Sequence, residues 1–294
     1  MEHTDAEKRE VDILILSDIH LGTIGCKAKE LFLYLNSISP KYIILNGDII
    51  DIWQFRKSYF PNSHLRIIKY FTEMMAAKVP IKYISGNHDE LLRKFNGTRL
   101  GSLTISNKLV LQINGEKLWL FHGDVFDVVM NYSKWLAKLG SKGYDLLIVI
   151  NSIVNYFSVR FGKGRISLSK KIKSKVKTAV SYINSFEKTA IDIALYKGFD
   201  YVVCGHIHQP QITTIEKGNR KVTYMNSGDW VENMSALEYT NKEWKIYRFS
   251  ENVNEELTIP DSVLDLSAQS LFQEMLSEMR FMETPTEAKV SNLF

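Results

Sequence analysis

The sequence predicts an α/β fold of two stacked sheets flanked by helices, with a helical insertion in the middle of the chain. Three observations lead there. From Val11 to Asp124, short β-branched or aromatic runs alternate with helix-like stretches, the signature of βαβ units and a largely parallel sheet. Residues 128–197 lose strand-like alternation and place apolar residues three or four apart, as a helix does. Strand runs then return between Asp200 and Phe249, with turn signals between them.

In order, VDILILSD (11–18) reads as the first strand and the segment near 27–38 as the first helix. KYIILNGD (41–48), an amphipathic stretch over about 63–78 and IKYISGNHD (81–89) repeat the unit. SLTISNKLVLQI (102–113) and KLWLFHGD (117–124) flank NGE (114–116), whose Asn-Gly pair is a strong hairpin signal, so the sheet is expected to be mixed. DYVVCGHIH (200–208), QITTIE (211–216), RKVTYMNSGDW (220–230) and two further runs reaching Phe249 read as antiparallel strands, forming a second sheet packed on the first. One domain over 1–250, with an insertion at about 128–197, is followed by an acidic extension over 251–294 that holds one helix-like stretch at 262–282.

The 294 residues are 45% hydrophobic and 24% charged, with a net charge of +4, which excludes a fibrous repeat or wholesale disorder. Two cysteines, Cys26 and Cys204, cannot build a disulfide framework, and the polar start MEHTDAEKRE lacks the apolar stretch of a signal peptide. The expected location is the cytoplasm.

Five of the seven histidines fall in short motifs at or just past the end of an apolar strand run: SDIH (17–20), GNHD (86–89), HGD (122–124) and GHIH (205–208), joined by NGD (46–48). Loops at the carboxyl ends of strands in an open α/β sheet converge on one crevice, so these scattered motifs are expected to meet. Asp18, Asp48, Asn87, His20, His122, His206 and His208 supply carboxylate, amide and imidazole donors without thiolate, a set sized for two divalent ions. In D-x-H and H-x-H the i and i+2 side chains of an extended segment point the same way. Each motif alone has a bland reading: NGD is usually a turn, and a histidine after a strand is usually a hydrogen-bonded structural residue. Five together at five strand ends do not, because burying that many carboxylates and imidazoles without a cation is costly.

The series D-x-H, GD, GNHD, H-G, GH-x-H resembles the calcineurin-like metallophosphoesterase superfamily over about residues 11–250. Within it, SDIHLG, GDIIDIW, HGDVFD, CGHIHQPQ and YMNSGDWVE look most like the UDP-2,3-diacylglucosamine diphosphatase family, which cleaves a lipid A precursor to UMP and a lipid-linked sugar phosphate. The resemblance implies a two-sheet α/β/β/α metallophosphoesterase sandwich with a helical cap insertion. It implies that Asp18, His20, Asp48 and His208 hold one ion and Asp48, Asn87, His122 and His206 the other. Manganese is the expected metal, with iron or zinc as alternatives, and the implied chemistry is in-line hydrolysis at phosphorus. His88 would act as a catalytic donor to a phosphate oxygen or the leaving group, with Asp89 holding its tautomer. Asp124 and Asp127 have two readings, partners of ligand imidazoles or helix-capping acids, and Asp127 is also a candidate substrate contact. The best-known lipid A branch carries Arg where His88 stands, so GNHD matches the general phosphoesterase pattern and a second, related branch.

Residues 160–177 hold eight cationic side chains and no acidic one, following the apolar run LLIVINSIVNYFSV (146–159). Those fourteen residues fall short of the about 20 that span a bilayer. An apolar stretch beside a basic one suits an acylated, charged substrate or peripheral settling on an anionic inner-membrane surface, with Arg165, Lys173 and Lys177 as candidate substrate contacts. The bland reading is a core helix beside a solvated one. No nucleic-acid partner is expected, since the segment has no recognised motif and few interleaved aromatics. Oligomeric state is left open. The leading expectation is hydrolysis of UDP-2,3-diacylglucosamine; the alternatives are a phosphodiesterase or phosphatase on another nucleotide or phospholipid, and a non-catalytic scaffold on the same fold.

Overall fold

The computed structural model describes residues 8–52, 59–129 and 170–250; the side chains of 128, 129 and 170–181 are not described. Most of the insertion, including the 146–159 run and Arg165, and the whole of the 251–294 extension lie outside those residues.

The elements are β1 (Arg9–Val11), β2 (Ile13–Leu16), α1 (Ala28–Asn36), β3 (Ile38–Pro40), β4 (Ile43–Asn46), α2 (Asn62–Ala76) and β5 (Ile81–Ile84). A 3₁₀ helix (Glu90–Phe95), β6 (Arg99–Leu100), β7 (Leu103–Ser106), β8 (Leu109–Ile113), β9 (Glu116–Leu120) and α3 (Val125–Val129) follow. The remainder is α4 (Lys170–Lys197), β10 (Tyr201–Cys204), β11 (Gln211–Lys217), β12 (Arg220–Asn226), β13 (Ser235–Thr240) and β14 (Glu243–Arg248).

Among the described residues, the two stacked sheets hold seven strands in the order β14-β13-β2-β4-β5-β7-β6 and five in the order β11-β12-β10-β9-β8, while β1 and β3 form a separate parallel pair. β2, β4, β5 and β7 run parallel, and β10 runs parallel to both β9 and β12. Strand alternation builds the layers. Ile15, Ile44, Ile84, Leu118, Leu120, Val203 and Met225 meet between the sheets. Leu14, Leu16, Ile43, Leu45, Ile81 and Tyr83 face the other way, toward α1 and α2. Val202, Cys204 and Tyr224 pack under α4 with Phe186, Ala190, Ile191, Ala194 and Leu195. The result is the expected α/β/β/α sandwich.

Three expectations are corrected. SLTISNKLVLQI is two strands in different sheets, β7 and β8, because the chain leaves the first sheet at Asn107 and Lys108. The last two runs, β13 and β14, belong to the first sheet, since β13 pairs antiparallel with β2. β10, read as antiparallel, is parallel to β9, from which a connection ending in α4 separates it, and to β12, because β11 runs back between them in the chain and pairs antiparallel with β12. The Asn114-Gly115 hairpin forms as read, with both residues at positive φ, 53° and 90°. No helix among the described residues is long and apolar enough to cross a membrane.

On α2, His64 is 2% exposed and its Nδ1 accepts the Gly22 N–H at 2.9 Å, so the ring is neutral with its proton on Nε2. Burial pushes its pKa from the ordinary 6.5 down to about 4. A depressed histidine stabilises the fold above its unfolded value, and that contribution is lost as pH falls from 6.5 toward 4. Urea titrations should show the native chain losing about 2 kcal/mol more than His64→Asn, whose Oδ1 can still accept from Gly22, between pH 7 and pH 5.

Candidate metal centre

Every motif lands on a loop at the carboxyl end of a strand: Asp18 and His20 after β2, Asp48 after β4, Asn87 and His88 after β5, His122 after β9, His206 and His208 after β10. Asp18, His20, Asp48, His206 and His208 all have left-handed backbones, with φ between 52° and 66°. Such a conformation is costly for a side chain with a Cβ and persists only where surroundings enforce it. Backbone bonds across the crevice do so here: Asp18 N–H donates to Gly47 O, His20 N–H to Asp48 O, and Gly205 N–H to His122 O. The loops fit because glycines leave room. A Cβ on Gly86 would lie 2.2 Å from Asp48 Oδ1, and one on Gly47, at φ +81°, would lie 2.3 Å from His122 Nδ1.

The donors converge. Asp18, His20 and His208 place one ligand atom each within 4.8 Å of one another, as do Asp48, His122 and His206, and His20, Asp48 and His88. His122 Nδ1–H donates to Asn46 O at 2.8 Å, which leaves the Nε2 lone pair facing inward, 3.2 Å from Asp48 Oδ2. His206 Nε2–H donates to Asp127 Oδ2 at 2.9 Å, leaving Nδ1 as its free nitrogen. His208 Nε2 lies 3.1 Å from Asp18 Oδ1. Among the described residues, Asn87 Oδ1 is buried without a hydrogen-bond partner, and Asp18 Oδ1 and His122 Nε2 are buried facing only an imidazole and a carboxylate. Buried orphan acceptors and a lone-pair nitrogen aimed at one space fit divalent cations, which satisfy all of them together. Asn87, the one amide in the set, belongs to it by its buried oxygen.

Burial pushes the Asp18 and Asp48 carboxyls up, but the imidazoles outweigh it: His208 and His122 hold Asp18 down, and His122 holds Asp48 well down. Reciprocally, Asp18 outweighs burial at His208 and raises it to about 9, and Asp48 raises His122 far above its usual range. Without a cation, protons on the imidazoles balance the carboxylates.

Some residues sit elsewhere than expected. Asp89 does not touch the His88 ring. Its carboxylate is buried, accepting from Tyr83 Oη at 2.6 Å, Ile49 N at 3.0 Å and Gly86 N at 2.6 Å, so it ties the GNHD loop to β4 and β5. Asp51 stands where Asp89 was expected, with Oδ2 2.8 Å from His88 Nδ1 and 3.3 Å from His20 Nδ1. Its signal was present in GDIIDIW: three residues past Asp48, after the bridge of Ile50 with Leu21, the chain brings Asp51 back to the crevice. Asp127, a candidate substrate contact, has its oxygens on His206 and on the Tyr182 hydroxyl. Asp124 pairs with Arg93. Lys173 and Lys177 fall on α4 among side chains not described, and Arg165 lies outside the described residues.

The family model described as calcineurin-like phosphoesterase matches residues 11–210. The chain belongs to the calcineurin-like phosphoesterase family. It is a phosphoesterase, and the family implies divalent metal ions at this cluster. It is similar to a UDP-2,3-diacylglucosamine hydrolase of Aliivibrio fischeri, 25% identical over 80% of this chain and 98% of the relative. A protein of the same name from Stenotrophomonas maltophilia is 24% identical over 79% and 96%. Among solved structures, an archaeal phosphodiesterase matches at TM-score 0.40 and 13% identity, covering 80% of this chain and 98% of that one.

Two outcomes are expected of this phosphoesterase. Because His208 and His122 carry raised pKa values, Mn²⁺ binding near neutral pH should release protons, read by calorimetry in buffers of different ionisation enthalpy, and should tighten as pH rises toward 9. Gly86→Ala, which drives a methyl into Asp48, should lose Mn²⁺ binding by at least the about 10- to 100-fold typical of outer-sphere changes, checked by equilibrium dialysis.

Proposed function

We propose that this phosphoesterase cleaves the pyrophosphate bond of a nucleotide-linked lipid, UDP-2,3-diacylglucosamine, to give UMP and 2,3-diacylglucosamine 1-phosphate. The observation that carries the substrate is the match, over nearly their entire length, to relatives bearing that name. The donor set supports the chemistry. Asp18, His20, Asp48 and His208 would hold one ion, and Asp48, Asn87, His122 and His206 the other, with Asp48 shared. Manganese suits these ligands, with iron or zinc as alternatives. Such ions draw in phosphate oxygens, offset charge building on them and lower the pKa of water.

The chain's own residues do the rest. Asp51 holds His88 Nδ1, so Nε2 is the nitrogen that meets substrate. Burial pushes the His88 pKa down, but Asp51 and then Asp48 outweigh it, and the net shift is upward, toward the protonated donor. An imidazolium there hydrogen-bonds a phosphoryl oxygen or hands its proton to the departing oxygen. Asp89 keeps the loop that carries Asn87 and His88 fixed to the sheet. The basic insertion supports a negatively charged, acylated substrate and peripheral residence on the cytoplasmic face of an anionic membrane.

His88 standing where the best-known lipid A branch carries Arg favours a second reading, a phosphodiesterase or phosphatase on another nucleotide or phospholipid. Incubation of the Mn²⁺-loaded protein with UDP-2,3-diacylglucosamine should release UMP; turnover of an alkyl phosphodiester with no UMP would establish the second reading instead. The two also differ in their need for His88. A phosphate leaving group, with a second pKa of about 6, hardly needs a proton, whereas an alkoxide does. His88→Gln should therefore cost an alkyl diester about 10²- to 10⁴-fold in kcat and the pyrophosphate distinctly less. A non-catalytic scaffold would hydrolyse neither substrate.

A further inference from the structure

We propose that Tyr182, on the insertion helix α4, is a positioning residue for the ion that Asp48, Asn87, His122 and His206 would hold, acting through Asp127 on the His206 ring. The inference rests on the two-ion reading above.

The chain of contacts is direct. The Tyr182 hydroxyl donates to Asp127 Oδ1, and Asp127 Oδ2 accepts the His206 Nε2–H at 2.9 Å. Among the described residues, each carboxylate oxygen thus has one partner. Asp127 sits on α3, with its side chain 34% exposed. A carboxylate's terminal torsion is broad and roughly two-fold, so one anchored oxygen does not fix it. The second bond, from Tyr182, prevents the group from swinging out to water and taking the imidazole with it.

A second contact comes from the same face of α4. Phe186, one turn beyond Tyr182, is fully buried, its ring 6.3 Å from that of His206. It lies so close to Gly123 that a Cβ there would be 2.6 Å from its Cζ. Further along, Ala190, Ile191, Ala194 and Leu195 seat the helix on β10 and β12. The helix is therefore anchored in the core and passes the metal centre at Tyr182 and Phe186.

His206 is held differently from its fellow ligands. His122 is aimed by the backbone carbonyl of Asn46, the last residue of β4, and His20 by Asp51 in the loop that follows. The group that aims His206 has its other partner on the insertion. Displacing α4 would thus weaken one ion selectively and leave the Asp18, His20, His208 side intact.

The test uses the full chain and Tyr182→Phe, which removes only the hydroxyl. Mn²⁺ is titrated by calorimetry, and bound metal is counted by mass spectrometry after dialysis against graded chelator. The native protein should retain two ions. Tyr182→Phe should keep one at native affinity and bind the other about 10- to 100-fold more weakly, with kcat recovering as Mn²⁺ is raised. Asp127→Asn should weaken the same ion, and serves if Tyr182→Phe fails to fold. Two ions bound by either folded variant at native affinity would overturn the inference, as would equal weakening of both ions. Fewer than two ions on the native protein would instead remove the two-ion reading beneath it.

Discussion

The burial of two carboxylates, Asp18 and Asp48, at the floor of one crevice is the constraint from which the rest of the molecule follows. Neither is more than 2% exposed. A buried carboxylate without a counter-charge is untenable by several kcal/mol, so the fold must deliver cationic or cation-binding groups from several directions at once. It does so by placing five strand ends of two sheets around a common space. The local backbone is then bent to the purpose: five of the donor residues adopt left-handed conformations, and glycines at 47 and 86 make room where a methyl would strike Asp48 or His122.

Around this floor lies a set of partners that decide which nitrogen of each ring faces inward. Asn46 O does this for His122, Asp51 for His20 and His88, Asp127 for His206. Asp229 holds the loop below His208: its carboxylate accepts from Val231 and Glu232 backbone N–H groups, while the Asn233 side chain donates to His208 O. Geometry of this kind belongs to the scaffold and exists before any cation arrives.

The donors themselves were legible because each sits in a short motif ending an apolar run, and strand ends converge by topology whatever the sequence between them. The partners were less so. Asp51 and Asp89 are both acids a few residues past a strand, and only the path of the chain shows that Asp51 meets His88 while Asp89 turns back to Tyr83 and Gly86. Tyr182 carried no signal, since a tyrosine in an amphipathic helix reads as core. In the fold, alternation located the strands but not their sheets: nothing in the last two runs distinguishes a strand that pairs with β2 from one that extends the second sheet. The break between β7 and β8 fell in an unbroken apolar pattern, marked only by Asn107 and Lys108.

Asp18 and His206, hydrogen-bonded to each other, are 188 positions apart. Domains form as units while the chain emerges from the ribosome at about 5–20 residues per second. A nascent chain holding Asp18, His20 and Asp48 has carboxylates without most of the imidazoles that complete the set, and β10 must emerge before either cluster can close. A cation held by both sets of donors would therefore be captured only late in the making of this protein, and its identity would depend on the ions at hand where folding is completed.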